Sequence, residues 1–373
     1  MPATAVTPTQ PTRQDAPAPA SSPRAGARRG ARTPARRRLL TGTVLILGLV
    51  LASIASLAYG TRQIDPATVL SFIGSSVSGT DTSPTGASEA EAAVLTQRSV
   101  RTLWALVVGA ALGLAGAGLQ GITRNPLGDP AILGINAGAA FAVVAGISFF
   151  AADSTTVFAL YAFAGAIASA IAVYALASIG SGGATPIKLA LMGAALTAGL
   201  GSGTSAMILT NQNTLDDLRR WQIGSVAGAT MEDFFPAGLL LALGAVIVLT
   251  GAKTINSFAL GDDMAASLGE NVAARRLVLT AGVTLLVGTA VALTGPIGFL
   301  GLMAPHAMRA LVGADYRYLL PLSALTGAVL LTVADTVGRI ILPPQEMQVG
   351  VMMVALGVPV FIYLVRRGKA VNL

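Results

Sequence analysis

The 373-residue chain has no cysteine and one histidine, His306, and only 11% of its residues are charged. Without cysteine there is no disulfide framework, and with a lone histidine there is no Cys/His metal cage. His306, after Pro305, reads as a structural group rather than a ligand or proton switch. A soluble globular domain carries about 25% charged residues, so that class is excluded too. No G-x-x-x-x-G-K-[ST] phosphate loop occurs; Gly251-Ala252-Lys253-Thr254 has the lysine without the glycine cradle. The chain is therefore expected not to hydrolyse ATP and to hold no catalytic residue of its own. The apolar runs also lack the paired carboxylates or histidine chain that a proton-driven pump often needs. Ligands for a bare metal ion are few along any path through them. Neither a cofactor nor a bound metal is expected.

What is present is apolar: 53% hydrophobic residues, mean hydropathy +0.71 and 43 glycines. This composition belongs to a membrane protein with close helix packing. The net charge of +7 is misleading, because residues 1–38 hold eight Arg and one Asp and the remainder balances to zero. With no basic surface beyond that tail, no nucleic-acid partner is expected. Residues 1–38, rich in Pro, Ala, Ser and Arg, read as a disordered basic cytoplasmic tail. Arg36-Arg37-Arg38 fits a twin-arginine export signal, an anionic-lipid anchor or a positive-inside orientation signal. Residues 39–373 read as one transmembrane domain. Apolar runs fall at about 39–60, 102–123, 133–151, 157–179, 188–209, 234–252, 276–296, 298–311, 318–342 and 349–365. The expected fold is an all-α polytopic bundle of ten spans, with a polar stretch at 61–101. Arg124, Lys188, Lys253, Arg275, Arg276, Arg309, Arg317, Arg366, Arg367 and Lys369 then share one side, which the positive-inside rule makes cytoplasmic for both termini. Trp104 and Trp221 fall near the outer boundaries, where aromatic anchors sit.

Four features interrupt this pattern. Gln120 to Gly138 forms a charged elbow in which Pro126 and Pro130 restrict the residues before them, giving a fixed extended turn. Gly134 and Gly138 are then expected on one helix face. The small-residue pairs Gly109/Gly113, Gly134/Gly138 and Gly199/Gly203 fit internal helix packing or a subunit seam. Asp335 and Arg339 lie one helical turn apart in the ninth run, as a mutual salt bridge or a charged functional surface. The segment from Gly261 to Arg276 is charged and amphipathic, with Met264, Leu268 and Val272 at helical spacing. Gly269 in its middle predicts two short helices with a bend.

In order along the chain come R-S-V-R at 98–101, Leu119-Gln120, R-N-P-L-G-D-P at 124–130 and W-x-x-G-S at 221–225. A-x-L-G-E from Ala266, G-P-I-G-F-L-G-L-M-A-P-H-A-M-R at 295–309, A-D-T-V-G-R at 334–339 and G-V-P-V-F-I at 357–362 follow. This series resembles the FecCD-type permeases of ABC importers for iron–siderophore complexes, haem and vitamin B12. The chain departs from the family at Val100, where proline is usual, and at E-M-Q-V-G from Glu346. The resemblance implies a permease subunit in the cytoplasmic membrane of a bacterium, paired with a second copy or paralogue. It also implies cytoplasmic ATP-binding cassette subunits and an extracytoplasmic substrate-binding protein as partners. Arg98, Arg101 and Arg339 would meet carboxylates of the binding protein. Ala266, Leu268, Gly269, Glu270 and Arg275 would receive the ATPase's motion. Asn125, Leu127, Thr185 and Pro186 would close the inner gate. The expected cargo is a ferric siderophore, with haem or cobalamin as the alternatives within the class. Outside it, an ion-coupled secondary transporter would work alone under a gradient, and a membrane scaffold would be indifferent to ATPase partners.

Overall fold

Long runs of Ala, Leu, Val and Gly leave every backbone polar group to be satisfied within its own segment, and in lipid the helix does this. The computed structural model describes residues 35–78, 88–150, 154–180, 183–210 and 212–368, and all regular structure among them is helical. The α-helices are α1 (Ala35–Ala58), α2 (Pro66–Ser78), α3 (Glu89–Thr123), α4 (Ile135–Phe150), α5 (Thr155–Ser178), α6 (Pro186–Thr210) and α7 (Gln212–Gln222). They continue with α8 (Phe234–Thr250), α9 (Ala252–Phe258), α10 (Asp262–Ser267), α11 (Val272–Thr294), α12 (Leu300–Val312), α13 (Tyr316–Ile341) and α14 (Val349–Gly368). A 3-10 turn, Pro130–Leu133, precedes α4.

Each of the ten apolar runs contains a helix. By length and composition, six helices can cross a membrane alone: α1, α3, α5, α6, α11 and α13. The pair α8 and α9, bent by 50°, makes a seventh, whereas α4, α12 and α14 are shorter. Of the tail, residues 1–34 lie outside the described residues, and Arg36 to Arg38 already belong to α1.

The polar stretch at 61–101 is not simply a loop. Its described parts form α2 and the first turns of α3, which starts 13 residues before the apolar run. The cause is a capping box: the Ser88 hydroxyl accepts from the Glu91 N–H at 3.3 Å, and the Glu91 carboxylate accepts from the Ser88 N–H at 2.9 Å. Val100 therefore sits inside a helix, where a proline would delete a backbone hydrogen bond.

The centre of the bundle is α3 with α11 and α13, while α1 and α6 are exposed along most of their length. Small residues make this centre possible. A side chain on Gly109 would lie 2.5 Å from the Gly327 carbonyl oxygen of α13, and one on Gly116 would strike the backbone of Gly301 in α12. Gly113 meets Ser323, and Gly138 meets Gly165 of α5. These pairs are internal packing. Gly134 does not share a helix face with Gly138: it is the left-handed cap of the 3-10 turn, with φ 68°. On α6, Gly203 packs on Phe141, but Gly199 and Gly201 face open space. Trp104 is no interfacial anchor either. It is 1% exposed, donates its indole N–H to the Thr230 carbonyl at 2.9 Å and meets Phe234 edge-on. Packing between α3 and the start of α8 has a stronger claim on that ring than the membrane surface.

Candidate functional site

Two ionic clusters lie along α3, one about three turns into it and one at its C-terminal end. In the first, Arg98 and Arg101 are carried about three turns into α3, and Asp335 and Arg339 fall one turn apart on α13. Arg101 pairs with Asp335 at 2.8 Å and with Glu346, in the link from α13 to α14, at 2.6 Å. Arg339 pairs with the other Asp335 oxygen at 3.3 Å. It also donates to the Ser56 carbonyl at 3.0 Å and to the Ser56 hydroxyl at 2.6 Å, at the end of α1. Arg98 donates to the carbonyls of Leu57, at 2.8 Å, Ala58 and Arg62. A cavity of about 220 Å³ opens here, lined by Arg62, Gln97, Arg98, Arg101, Arg339 and Glu346 among others.

The three arginines implied as docking residues are thus brought together, but Arg98 and Arg339 lie beneath the surface. Arg339 is 2% exposed and Arg98 6%. Their guanidinium donors are engaged by the chain around the end of α1, and Arg101 is held by two acids of its own. Glu346 is the member that sequence reasoning did not assign. Its signal was arithmetic: three arginines near one aspartate, two of them buried and the third part-buried, call for a second acid.

At the C-terminal end of α3, Arg124 takes the left-handed conformation (φ 52°) that ends the helix. The elbow that follows is internally bonded rather than extended. Asn125 accepts from the Leu127 N–H at 2.9 Å, Gly128 donates to the Asn125 carbonyl at 2.9 Å, and Asp129 caps the 3-10 turn through the Ala131 N–H at 2.8 Å. Burial raises the Asp129 carboxyl above the ordinary carboxylate range, against that capping bond. Leu127 is exposed. In the second link, the Thr185 hydroxyl accepts from the Lys188 N–H at 3.4 Å and Pro186 opens α6, where a proline costs no hydrogen bond. Asn125 is engaged within its own link, and Thr185 with the first turn of α6.

The segment 261–276 folds as α10, a bend at Gly269 with φ 87°, and the first turn of α11. The expected second short helix is the start of α11 itself. Ala265 packs inward, whereas Met264, Ala266, Leu268 and Gly269 are exposed. Glu270 accepts from the Thr254 hydroxyl of α9 at 3.0 Å and pairs with the exposed Arg275 at 3.4 Å. The outcome is a small helix with Met264 and Ala266 on its exposed face, followed by a segment tied to α9 through Glu270 and joined to α11 by the Gly269 bend. Among the described residues, no three His, Asp or Glu gather as a metal group would need.

The arrangement has counterparts. The chain is 40% identical over 323 residues to the ferric enterobactin transport system permease protein FepD of Escherichia coli, covering 87% of this chain and 94% of that one. It is 41% identical over 276 residues to the Fe(3+)-citrate import system permease protein YfmD of Bacillus subtilis, covering 74% and 82%. It is 38% identical over 280 residues to the cobalamin import system permease protein BtuC of Halobacterium salinarum, covering 74% of each. A structure described as an inward-facing conformation of a metal-chelate type ABC transporter superposes with a TM-score of 0.73 at 28% identity, over 88% of this chain and 99% of that one. The sequence profile of the FecCD transport family matches residues 48–367, and the chain belongs to that family.

Proposed function

We propose that this chain is the permease subunit of an ATP-driven importer that carries ferric siderophore complexes across the cytoplasmic membrane of a bacterium. The observation behind the cargo is the near full-length similarity to the ferric enterobactin permease, with the ferric citrate permease beside it. Cobalamin is the alternative cargo, because a cobalamin permease is almost as similar. The chain is a conduit and not an enzyme; ATP is hydrolysed by separate subunits.

In this reading the ten apolar runs each span the membrane, with both termini in the cytoplasm, following the charge bias of the loops. The ATPase subunits seat on α10, where Met264 and Leu268 stand exposed beside Gly269, Glu270 and Arg275. Nucleotide binding closes the ATPase pair, which pushes α10 and, through the first turn of α11, rocks the bundle. The push supplies the differential affinity that moves the outward–inward equilibrium. Asn125 and Leu127 on one link and Thr185 and Pro186 on the other narrow the cytoplasmic exit. A second copy or paralogue packs on the open side of α6, where Gly199 and Gly201 have no neighbour. The substrate-binding protein docks over Arg101 and Glu346, with Arg98 and Arg339 shaping that surface from below.

The test is uptake of a labelled ferric siderophore in a deletion strain complemented with this gene, with unlabelled haem and cobalamin as competitors. Restored uptake unaffected by either competitor is expected. Uptake abolished by cobalamin or haem would move the cargo to that class.

A further inference from the structure

Two arginines far apart in sequence converge on one carboxylate. Asp262, the first residue of α10, accepts from Arg276 of α11 at 2.9 and 3.1 Å and pairs with Arg124, past the end of α3, at 3.1 Å. The same Asp262 oxygen faces both guanidiniums. Arg276 uses its other terminal nitrogen to bond the Ala184 carbonyl at 3.2 Å, one residue before Thr185, and lies 5.4 Å from the centre of the Phe258 ring in α9. Arg124 is covalently next to Asn125. One carboxylate on the ATPase-facing helix is therefore joined directly to the first gate link and, through a single arginine, to the second.

The two bonds are unequal. The Arg276 side chain is 5% exposed, so its charge has few alternatives to Asp262. Arg124 and Asp262 are each 35% exposed at their side chains, so water and salt compete for that contact. Gly261, at φ 103°, sets the approach, a backbone that only glycine adopts freely. A displacement of α10 drags Arg276 and the Ala184 carbonyl with it, while the Arg124 contact can let go.

We infer that Asp262 is the positioning residue that passes motion of α10 to both gate links, holding Arg276 throughout the cycle and exchanging Arg124. This rests on the reading of α10 as the seat of the ATPase. The role differs from general scaffolding in what it couples. Without the carboxylate, the ATPase can still dock on Met264 and Leu268 and turn over, but the links no longer follow.

The experiment uses the complete importer in proteoliposomes and reads ATP hydrolysed per cargo molecule delivered. For Asp262→Asn, binding-protein-stimulated hydrolysis persists within about twofold while delivery drops about tenfold, a coupling loss in the usual allosteric range. Asp262→Glu restores the ratio to within about threefold of the unaltered importer. An unchanged ratio in Asp262→Asn, whether both rates hold or both fall together, overturns the inference. Should that variant fail to assemble, Arg124→Gln leaves Arg276 paired and carries the same test, with a ratio raised about threefold expected and an unchanged one overturning it. Leu268→Asp, on the docking face, separates the two ideas. Hydrolysis still stimulated there removes the docking reading, whereas its loss beside an unchanged ratio in Asp262→Asn removes the Asp262 role alone.

Discussion

About three turns into α3, Arg101, Arg339 and Asp335 meet where Asp335 is 1% exposed and every partner sits on a helix. Twenty-three residues on, about 35 Å along the helix axis, Arg124, Asp262 and Arg276 meet where two of the three are about one-third exposed and two of the attached segments are links. Similar charges thus serve different purposes. The first cluster joins the ends of α1 and α13 to the body of α3 in a fixed joint, because buried paired ions have nowhere else to go. The second sits on segments built to turn: a left-handed arginine, a glycine bend and a short helix. The lesson is that rigidity here follows burial and not the number of ion pairs.

Removing one charged partner from each region measures that difference. Asp335→Ala strands Arg101 and Arg339 without their shared carboxylate and is expected to cost about 3–5 kcal/mol. The measurement is the apparent melting temperature and yield of the chain in detergent; a variant that melts with the wild type would dissolve the distinction between the regions. A smaller effect is expected from Arg275→Gln, which removes the exposed partner of Glu270. It should lower stability by less than about 1 kcal/mol, and that loss should vanish in high salt. A larger, salt-independent loss would show that the α10 region is as rigid as the other.

Much of this was legible in the sequence. The ten apolar runs each mark a helix, the Gly269 bend is where φ turns positive, and the Asp335–Arg339 spacing forms the pair it suggested. These features are local, set by periodicity, by a residue without a side chain and by one helical turn. The early start of α3 had a local signal too, in Ser88 and Glu91, but it lies outside any apolar run. Trp104 was misread because an aromatic at a span boundary fits an interface and a core equally well by position. Glu346 beside Arg101 and Asp262 between Arg124 and Arg276 join segments as much as 245 and 138 residues apart. Nothing in the sequence near any one of these residues names its partner. Only the folded chain does.

The central claim is that the bundle has no drive of its own and is worked through α10 by companion ATPases. Its most direct test is delivery of a radiolabelled ferric siderophore into proteoliposomes holding this chain alone, then the chain with its ATPase subunits, binding protein and ATP. Delivery is expected only in the complete, ATP-supplied set, and is expected to stop in Gly269→Trp while the complex still assembles. Accumulation by the chain alone under a proton or sodium gradient would contradict the account.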